Sequence, residues 1–306
     1  MQLNDFPSRA RRRAAACIAL LCLAAGFQST VALAQPTLPP LADPPTMKHI
    51  PGKFVWFELV TGDPAAAQRF YASVFGWTYK AVSGAAETYA VIRNQGHVVG
   101  GVFRPVVPAG ETVGARWLSY ASAANLDQTV KQMTAGGATV LVPPTKVAGR
   151  GTHTLLRDSQ GAIVGLLQSA SGDPPDDPVA SGDFFWVDLY ARDPVAAARA
   201  YQQLDYDVFA DDATGDDRII LASNGIARAG IMRLGPDDGD PGWLPYVQVD
   251  DVPTALARVR AGGGKVLREP EPAVLDGQFA VFADPQGAVL GILRWPVTAS
   301  DKGSKP

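Results

Sequence analysis

The sequence is short of the residues that most often carry covalent or metal chemistry. In 306 residues there are two cysteines, Cys17 and Cys22, and three histidines, His49, His97 and His153. Both cysteines lie in an N-terminal stretch built like an export signal. Arg9, Arg11, Arg12 and Arg13 precede the apolar run "AAACIALLCLAAG", and Ala32-Leu33-Ala34 supplies a small-x-small cleavage pattern. The stretch predicts a signal peptide over 1–34 and a mature chain that begins at Gln35, in the periplasm or secreted. That mature chain has no thiol, which excludes disulfides, thiolate metal sites and a cysteine nucleophile together. The apolar run is too short for a confident membrane span, so no membrane association is expected after cleavage.

An excess of positive charge is also missing. With 27 basic and 30 acidic residues the net charge is -3, and no basic field of the kind nucleic acid requires can form. No histidine spacing matches a metal-ligand pattern. No glycine-rich stretch completes a phosphate loop with its lysine, and "GRG" at Gly149–Gly151 reads as a turn.

What the chain has is repetition. "WFELVTGDPAAAQRFY" from Trp56 matches "WVDLYARDPVAAARAY" from Trp186. "RWLSY" returns as "GWLPY", "AGGATVL" as "AGGGKVL", and "DSQGAIVGLLQ" as "DPQGAVLGILR", in the same order. Proline-rich, aperiodic segments flank and divide the repeats. They predict a linker over 35–51, a first domain over 52–170, a linker over 171–181, a second domain over 182–296 and a disordered tail over 297–306.

Each half repeats again within itself as strand, helix and three strands. Asp63 is placed to cap a helix that Pro64 begins, and Ala67, Phe70, Tyr71, Val74 and Phe75 form its apolar stripe before Gly76 ends it. A second helix over 126–135 stops at Gly136-Gly137, and the last helix sets Val252, Leu256 and Val259 on one face. The expected fold is α+β: four βαβββ modules paired into two domains, helices on one face of each sheet, the other faces curved into clefts.

With "ELVTGDPAAAQRFYASVFGW", "AGGATVLVPPTKVAGRGTHTLLRDSQGAIVGLLQ" and their second-half partners, the sequence resembles the vicinal oxygen chelate superfamily, the glyoxalase, bleomycin resistance and extradiol dioxygenase group, in its tandem two-domain form. The resemblance implies a divalent metal held in the cleft by His, Gln or Glu. Carried over position by position, the first-strand ligand falls on Trp56 and Trp186. The matching site of the second module falls on Leu118 and Leu244, and a late-strand glutamate falls on Gly165 and Gly291. The remaining ligand lies in the strand near Gly101 or Gly230, where sequence alone fixes no register. None of the six assigned residues can hold a hard metal, so no metal and no cofactor is expected.

Strand alternation then fills the clefts. Trp56, Glu58 and Val60 should face one cleft with Tyr120; Trp186, Asp188 and Tyr190 should face the other with Tyr246. Trp56, Glu58, Tyr120, Trp186, Asp188 and Tyr246 are the candidate ligand contacts for a flat or apolar small molecule. The same tryptophans could equally be core, the carboxylates could pair with a structural arginine, and the tyrosines could be packing residues. Glu58, Asp188 and His153 are the candidates for acid–base chemistry; His97 and His153 have Ile226 and Phe279 as counterparts, so imidazole chemistry would be confined to the first half. Two readings follow. One is an exported, metal-free binding protein for a small organic molecule, monomer or homodimer. The other is a lyase, isomerase or dioxygenase with a relocated metal site or metal-free acid–base catalysis.

Overall fold

The computed structural model describes residues 37–82, 89–107, 112–210, 218–236 and 238–295. The segment expected to be a signal peptide and the C-terminal tail lie outside them. The first half runs β1 (Phe54–Val60), α1 (Pro64–Phe75), β2 (Thr78–Ala81), β3 (Tyr89–Asn94), β4 (His97–Phe103), β5 (Arg116–Ser122), α2 (Leu126–Ala135), β6 (Thr139–Val147), β7 (Gly151–Arg157) and β8 (Ile163–Ser169). The second half follows as β9 (Phe184–Ala191), α3 (Pro194–Tyr201), β10 (Asp207–Ala210), β11 (Ile219–Ser223), β12 (Ile226–Arg233), β13 (Gly242–Gln248), α4 (Val252–Ala261), β14 (Lys265–Arg268), β15 (Phe279–Ala283) and β16 (Val289–Leu293).

Each half forms one eight-stranded sheet, ordered β2-β3-β4-β1-β5-β8-β7-β6 and β10-β11-β12-β9-β13-β16-β15-β14. In both, the two first strands of the modules meet at the centre as an antiparallel pair, and each returns in parallel to the last strand of its own module. This is the α+β pairing of four βαβββ modules that the repeats imply. An Asp or Asn begins every α-helix. The side chains of Asp63, Asn125, Asp193 and Asp251 each accept from a backbone N–H three residues on, which satisfies a donor the helix itself cannot. Gly76 takes the left-handed conformation, φ 75°, and closes α1.

The helix-bearing faces of the two sheets share one core. Phe57 and Leu59 of β1, Phe70, Tyr71 and Val74 of α1, and Leu189, Tyr201, Trp243 and Val259 of the second half belong to a single buried cluster. Phe57 stacks on Phe184 at 4.1 Å between centroids, and Phe54 meets Trp243 at 4.9 Å. Reciprocal hydrogen bonds tie the halves. Asp158, in the β7–β8 turn, accepts from Gln160 N and Ala162 N through one oxygen, and from the Tyr201 hydroxyl of the other half through the second, at 3.0 Å. Asp284 does the same for Gln286 N, Ala288 N and the Tyr71 hydroxyl. Each tyrosine hydroxyl also accepts from its own half's tryptophan, Trp117 or Trp243, at 3.0 Å. Gln160 and Gln286 reach across in turn to the helix caps, pairing with the backbone of Asp193 and Asp63.

The proline-rich stretches are fastened down. Leu38 and Ala42 are buried, Leu38 N donates to Ala148 O, and Ala42 N donates to Ser171 Oγ. Between the halves, Asp176 accepts from both guanidinium nitrogens of Arg228, at 2.6 and 2.9 Å, and lies 2.8 Å from Lys53 Nζ.

Replacing Tyr71 or Tyr201 by Phe should lower unfolding free energy by about 1–3 kcal/mol each, because it strips a partner from a buried carboxylate and a buried indole. Urea denaturation followed by circular dichroism measures it. A second expectation concerns pH. The Arg228 fork, joined by Lys53, holds the Asp176 carboxyl down to about 2. A folded value below the unfolded one adds stability that is complete above about pH 4 and is lost as pH falls through about 2. Asp176→Asn should therefore lower stability at neutral pH, and its deficit relative to wild type should close across that acid range in pH-dependent unfolding.

Candidate functional site

The faces of the sheets turned away from the shared core carry two smaller apolar clusters. One holds Trp56, Val60, Val91, Phe103, Leu118, Tyr120, Val142, Leu155 and Leu167; the other holds Tyr246, Phe279, Val281 and Leu293, with Trp186 and Leu244 packed against it. Alternation along β1 and β9 produces this division. Trp56, Glu58 and Val60 leave the sheet on one side, Phe57 and Leu59 on the other.

In both halves the tryptophan holds the carboxylate two residues on. Trp56 Nε1 donates to Glu58 Oε1 at 3.0 Å, and Trp186 Nε1 to Asp188 Oδ1 at 2.9 Å. The remaining partners differ. Glu58, only 3% exposed, also accepts from the Tyr89 hydroxyl at Oε1 and the Tyr120 hydroxyl at Oε2, both at 2.7 Å. Asp188 is instead ion-paired with Arg218, whose Nη2 lies 3.1 Å from Oδ1. Tyr246 and Tyr190 approach each other at 3.5 Å between hydroxyls. Burial drives the Tyr89, Tyr120 and Tyr246 hydroxyls well above the ordinary phenol value, and Tyr190 to about 12, with the adjacent Glu58 or Asp188 charge adding to the effect. All four are neutral across the physiological range, and Tyr89 and Tyr120 donate to Glu58.

His153 stacks on Tyr120 at 5.9 Å between ring centroids, 11° from parallel, so it belongs to the first cluster. Burial lowers its pKa, with Glu58 opposing and Arg150 reinforcing the shift. His97 is elsewhere: its Nε2 lies 2.7 Å from Asp183 and its side chain is half exposed. His49 lies 4.0 Å from Asp173. The structure thus brings Glu58 and His153 into one site and leaves His97 out.

The strand register identifies the fourth ligand position implied by the resemblance. Glu58 pairs with Gly101 across parallel β1 and β4, as Tyr120 pairs with Gly165 across β5 and β8. The second half repeats this with Asp188 and Gly230, and with Tyr246 and Gly291. The set is therefore Trp56, Leu118, Gly101 and Gly165 in one half, and Trp186, Leu244, Gly230 and Gly291 in the other. Neighbours refill the space. A Cβ on Gly165 would lie 2.2 Å from the Tyr120 ring, and one on Gly291 2.2 Å from the Tyr246 ring. A Cβ on Gly101 would meet the Tyr89 hydroxyl at 2.3 Å, and one on Gly230 the Asp188 carboxylate at 2.2 Å. No residue of either set offers a metal a donor, and among the described residues no group of three or more His, Cys, Asp or Glu is arranged to hold one. The residues present do not fit the divalent ion that the fold implies.

Several members of the sites were not singled out from sequence: Tyr89, Arg150 and Arg218. Tyr89 and Arg218 sit on or beside outer strands and reach the carboxylates through pairing register. Arg150 comes from the "GRG" turn. Gly149 and Gly151 have φ of 77° and 125°, and a Cβ on either would lie 2.1 Å from a backbone oxygen, of Leu38 or Gln168. With the turn pinned between the N-terminal stretch and β8, the Arg150 side chain lies inward over Trp56, its Cζ 3.6 Å from the ring centroid.

Gly165→Ala should cost about 1–3 kcal/mol through overpacking against Tyr120. In a Tyr120→Ala background the same change should cost much less. Urea unfolding of the four proteins in this cycle gives the coupling directly.

The model of the "Glyoxalase/Bleomycin resistance protein/Dioxygenase superfamily" matches residues 53–166 and again 185–292. The chain is 31% identical over 246 residues to "Putative glyoxylase CFP32" of Mycobacterium tuberculosis, covering 78% of this chain and 93% of that protein. It is 27% identical over 262 residues to "Anthracycline biosynthesis protein DnrV" of Streptomyces peucetius, covering 81% of this chain and 94% of that one. Among solved structures, the Mn(II)-bound glyoxalase of Novosphingobium aromaticivorans aligns with a TM-score of 0.57 at 18% identity, over 80% of this chain and 83% of that chain. An extradiol ring-cleaving dioxygenase of B. fuscum aligns with a TM-score of 0.55 at 13% identity, over 85% and 76%. At these identities the two structures speak for the fold alone. The family match across both halves, together with the full-length relative, shows that this chain belongs to the glyoxalase/bleomycin resistance protein/dioxygenase superfamily.

Proposed function

We propose that this protein is exported and binds a small, flat organic molecule in the cleft of one or both halves, without the metal centre of the superfamily's enzymes. The observation that carries the reading is the refilled ligand set. Tyr120 lies over Gly165 and the Tyr89 hydroxyl stands against Gly101, so a hydrogen-bonded aromatic wall stands where metal ligands are expected. Trp56, Tyr120 and His153 gather aromatic rings with polar edges in the first half, as Trp186, Tyr246 and Phe279 gather rings in the second. Such linings suit ring systems that also carry hydrogen-bonding groups. The second cleft is the less tightly sealed: Trp186 and Leu244 are partly exposed where Trp56 and Leu118 are buried. Export is supported by the arginine cluster, the apolar run and the Ala-Leu-Ala site, and by a mature sequence free of cysteine. The reciprocal contacts between the halves join four modules in one chain, and a monomer is the state we assign.

Acid–base catalysis is the less favoured reading. Both Glu58 oxygens already accept hydrogen bonds from Trp56, Tyr89 and Tyr120, and Asp188 is committed to Trp186 and Arg218. Either carboxylate would have to give up a partner before taking a substrate proton.

The mature protein should contain no stoichiometric divalent metal by mass spectrometry, and chelator should leave its melting temperature unchanged. Titration with flat aromatic probes, including naphthoic acids and an anthracycline, should quench the fluorescence of the cleft tryptophans at micromolar to millimolar concentrations. A bound stoichiometric metal whose removal lowers the melting temperature, or no response to any probe, would overturn the reading.

A further inference from the structure

We propose that the first-half cleft recognises its ligand through a carboxylate, seated on the free edges of the Arg150 guanidinium while the rest of the molecule packs among Trp56, Tyr120 and His153. This rests on the small-molecule reading above and gives it a chemical class.

Arg150 is 3% exposed, and Nε, Nη1 and Nη2 are all buried with no hydrogen-bond partner among the described residues. A guanidinium carries five N–H donors in a rigid fork, and leaving a buried charge without acceptors is among the costliest arrangements in a folded protein. Burial lowers the Arg150 pKa while the neighbouring Tyr89 and Glu58 oppose the shift. A cation kept in such a place is explained by an acceptor that arrives from outside.

The obvious internal acceptor does not claim it. Glu58 is satisfied by Trp56, Tyr89 and Tyr120, and its ion pair with Arg150 is absent at 4.0 Å or less. The second half supplies the internal comparison. There Arg218 gives its Nη2 to Asp188 directly, and Arg268, over the Phe279 ring, lies 3.8 Å from Glu271, so both cations have an acidic partner where the first half's Arg150 remains uncommitted. Arg150 also has no basic counterpart, since Asp276 stands at the equivalent turn of the second half.

Geometry selects the ligand group. Trp56 covers one face of the guanidinium at 3.6 Å, which leaves the N–H edges as the reactive surface. Paired N–H groups along an edge match the two oxygens of a planar carboxylate. With the Glu58 charge nearby and a single cation, a monoanion is favoured over a phosphate dianion. The charged and titratable groups facing the position are Glu58, Tyr89 and His153. The N-terminal stretch lies against the site: Leu41 packs on the cluster, and Leu38 N donates to Ala148 O beside the Arg150 turn.

The test is isothermal titration calorimetry on the full mature chain with benzoate and 2-naphthoate, and with benzamide and 2-naphthamide as neutral matches. An acid should bind at least ten-fold tighter than its amide. Arg150→Met should remove that preference by weakening the acid far more than its amide, and Arg150→Lys should recover only part of it. In the absence of ligand, Arg150→Met should melt at or above the wild-type temperature, because it removes an unpaired buried charge; a fall would mark Arg150 as a structural partner of Trp56 and overturn the proposal. Acids and amides that bind alike overturn the carboxylate assignment while leaving small-molecule binding standing. A preference that survives Arg150→Met but is lost in Arg218→Met moves the site to the second half and overturns it too. If no member of either series binds, both the assignment and the binding reading fall.

Discussion

Two turn aspartates hold this architecture together. Asp158 and Asp284 each fold their own β-turn through one carboxylate oxygen and anchor the opposite half's helix through the other. The tyrosine that completes each bond is itself fixed by a tryptophan from a central strand. Turn, helix and sheet from two halves therefore meet at one buried carboxylate, twice. Burial works against both the Tyr71 and the Asp284 charge, raising each pKa, and hydrogen bonds from backbone N–H groups and the neutral tyrosine hydroxyl make the carboxylate tolerable there. Because the helix-bearing faces are sealed against each other in this way, the opposite faces are the ones left without a helical cover, and the Trp-x-acid pair of each half's first strand points to that side.

The second constraint is steric and belongs to those faces. In a parallel pair, a tyrosine opposite a glycine can lay its ring across the neighbouring backbone. Tyr120 on Gly165 and Tyr246 on Gly291 do this, with the ring where a side chain from the glycine would project. The glycine weakens its strand in isolation, and the ring restores the covering that the missing side chain would give. The arrangement also binds the tyrosine to a role. In the first half its hydroxyl completes the acceptor shell of Glu58. Restoring a metal ligand at Gly165 would therefore need Tyr120 to move, and moving Tyr120 would uncover Glu58.

Much of this was legible in the sequence because it is local or periodic. The Asp-Pro helix starts, the Gly-Gly stops and the alternation along "WFELV" each depend on a few adjacent residues, and the repeats multiplied every such signal. The pairing of Trp56 with Glu58 is an i, i+2 contact on one strand, and alternation suffices to place it. The partners that decide the chemistry were hidden because they depend on register between distant strands. Tyr89 reaches Glu58 from an outer strand, and Arg218 reaches Asp188 likewise. Arg150 was hidden more deeply. "GRG" reads as a turn and is one, but which way its arginine points is set by Leu38 on one side and Gln168 on the other, and neither is near it in sequence. His97, in a strand like His153, gave no local sign that it would leave the site for Asp183.

The two halves began as copies and have been fitted differently around the same Trp-x-acid core. In the second, a shorter acid meets a cation directly, and the pair is electrically closed. In the first, a longer acid is served by two phenols and an indole, which cancels its need for a counter-ion without cancelling its charge. That difference frees a cation for other use, and Arg150, brought in from the far side by a turn with no basic counterpart in the second half, is the cation so freed. Neutral donors in place of an ion pair change what a buried site can accept: an ion pair is complete in itself, whereas a carboxylate bound by hydroxyls beside an unclaimed guanidinium has one acceptor position still to fill.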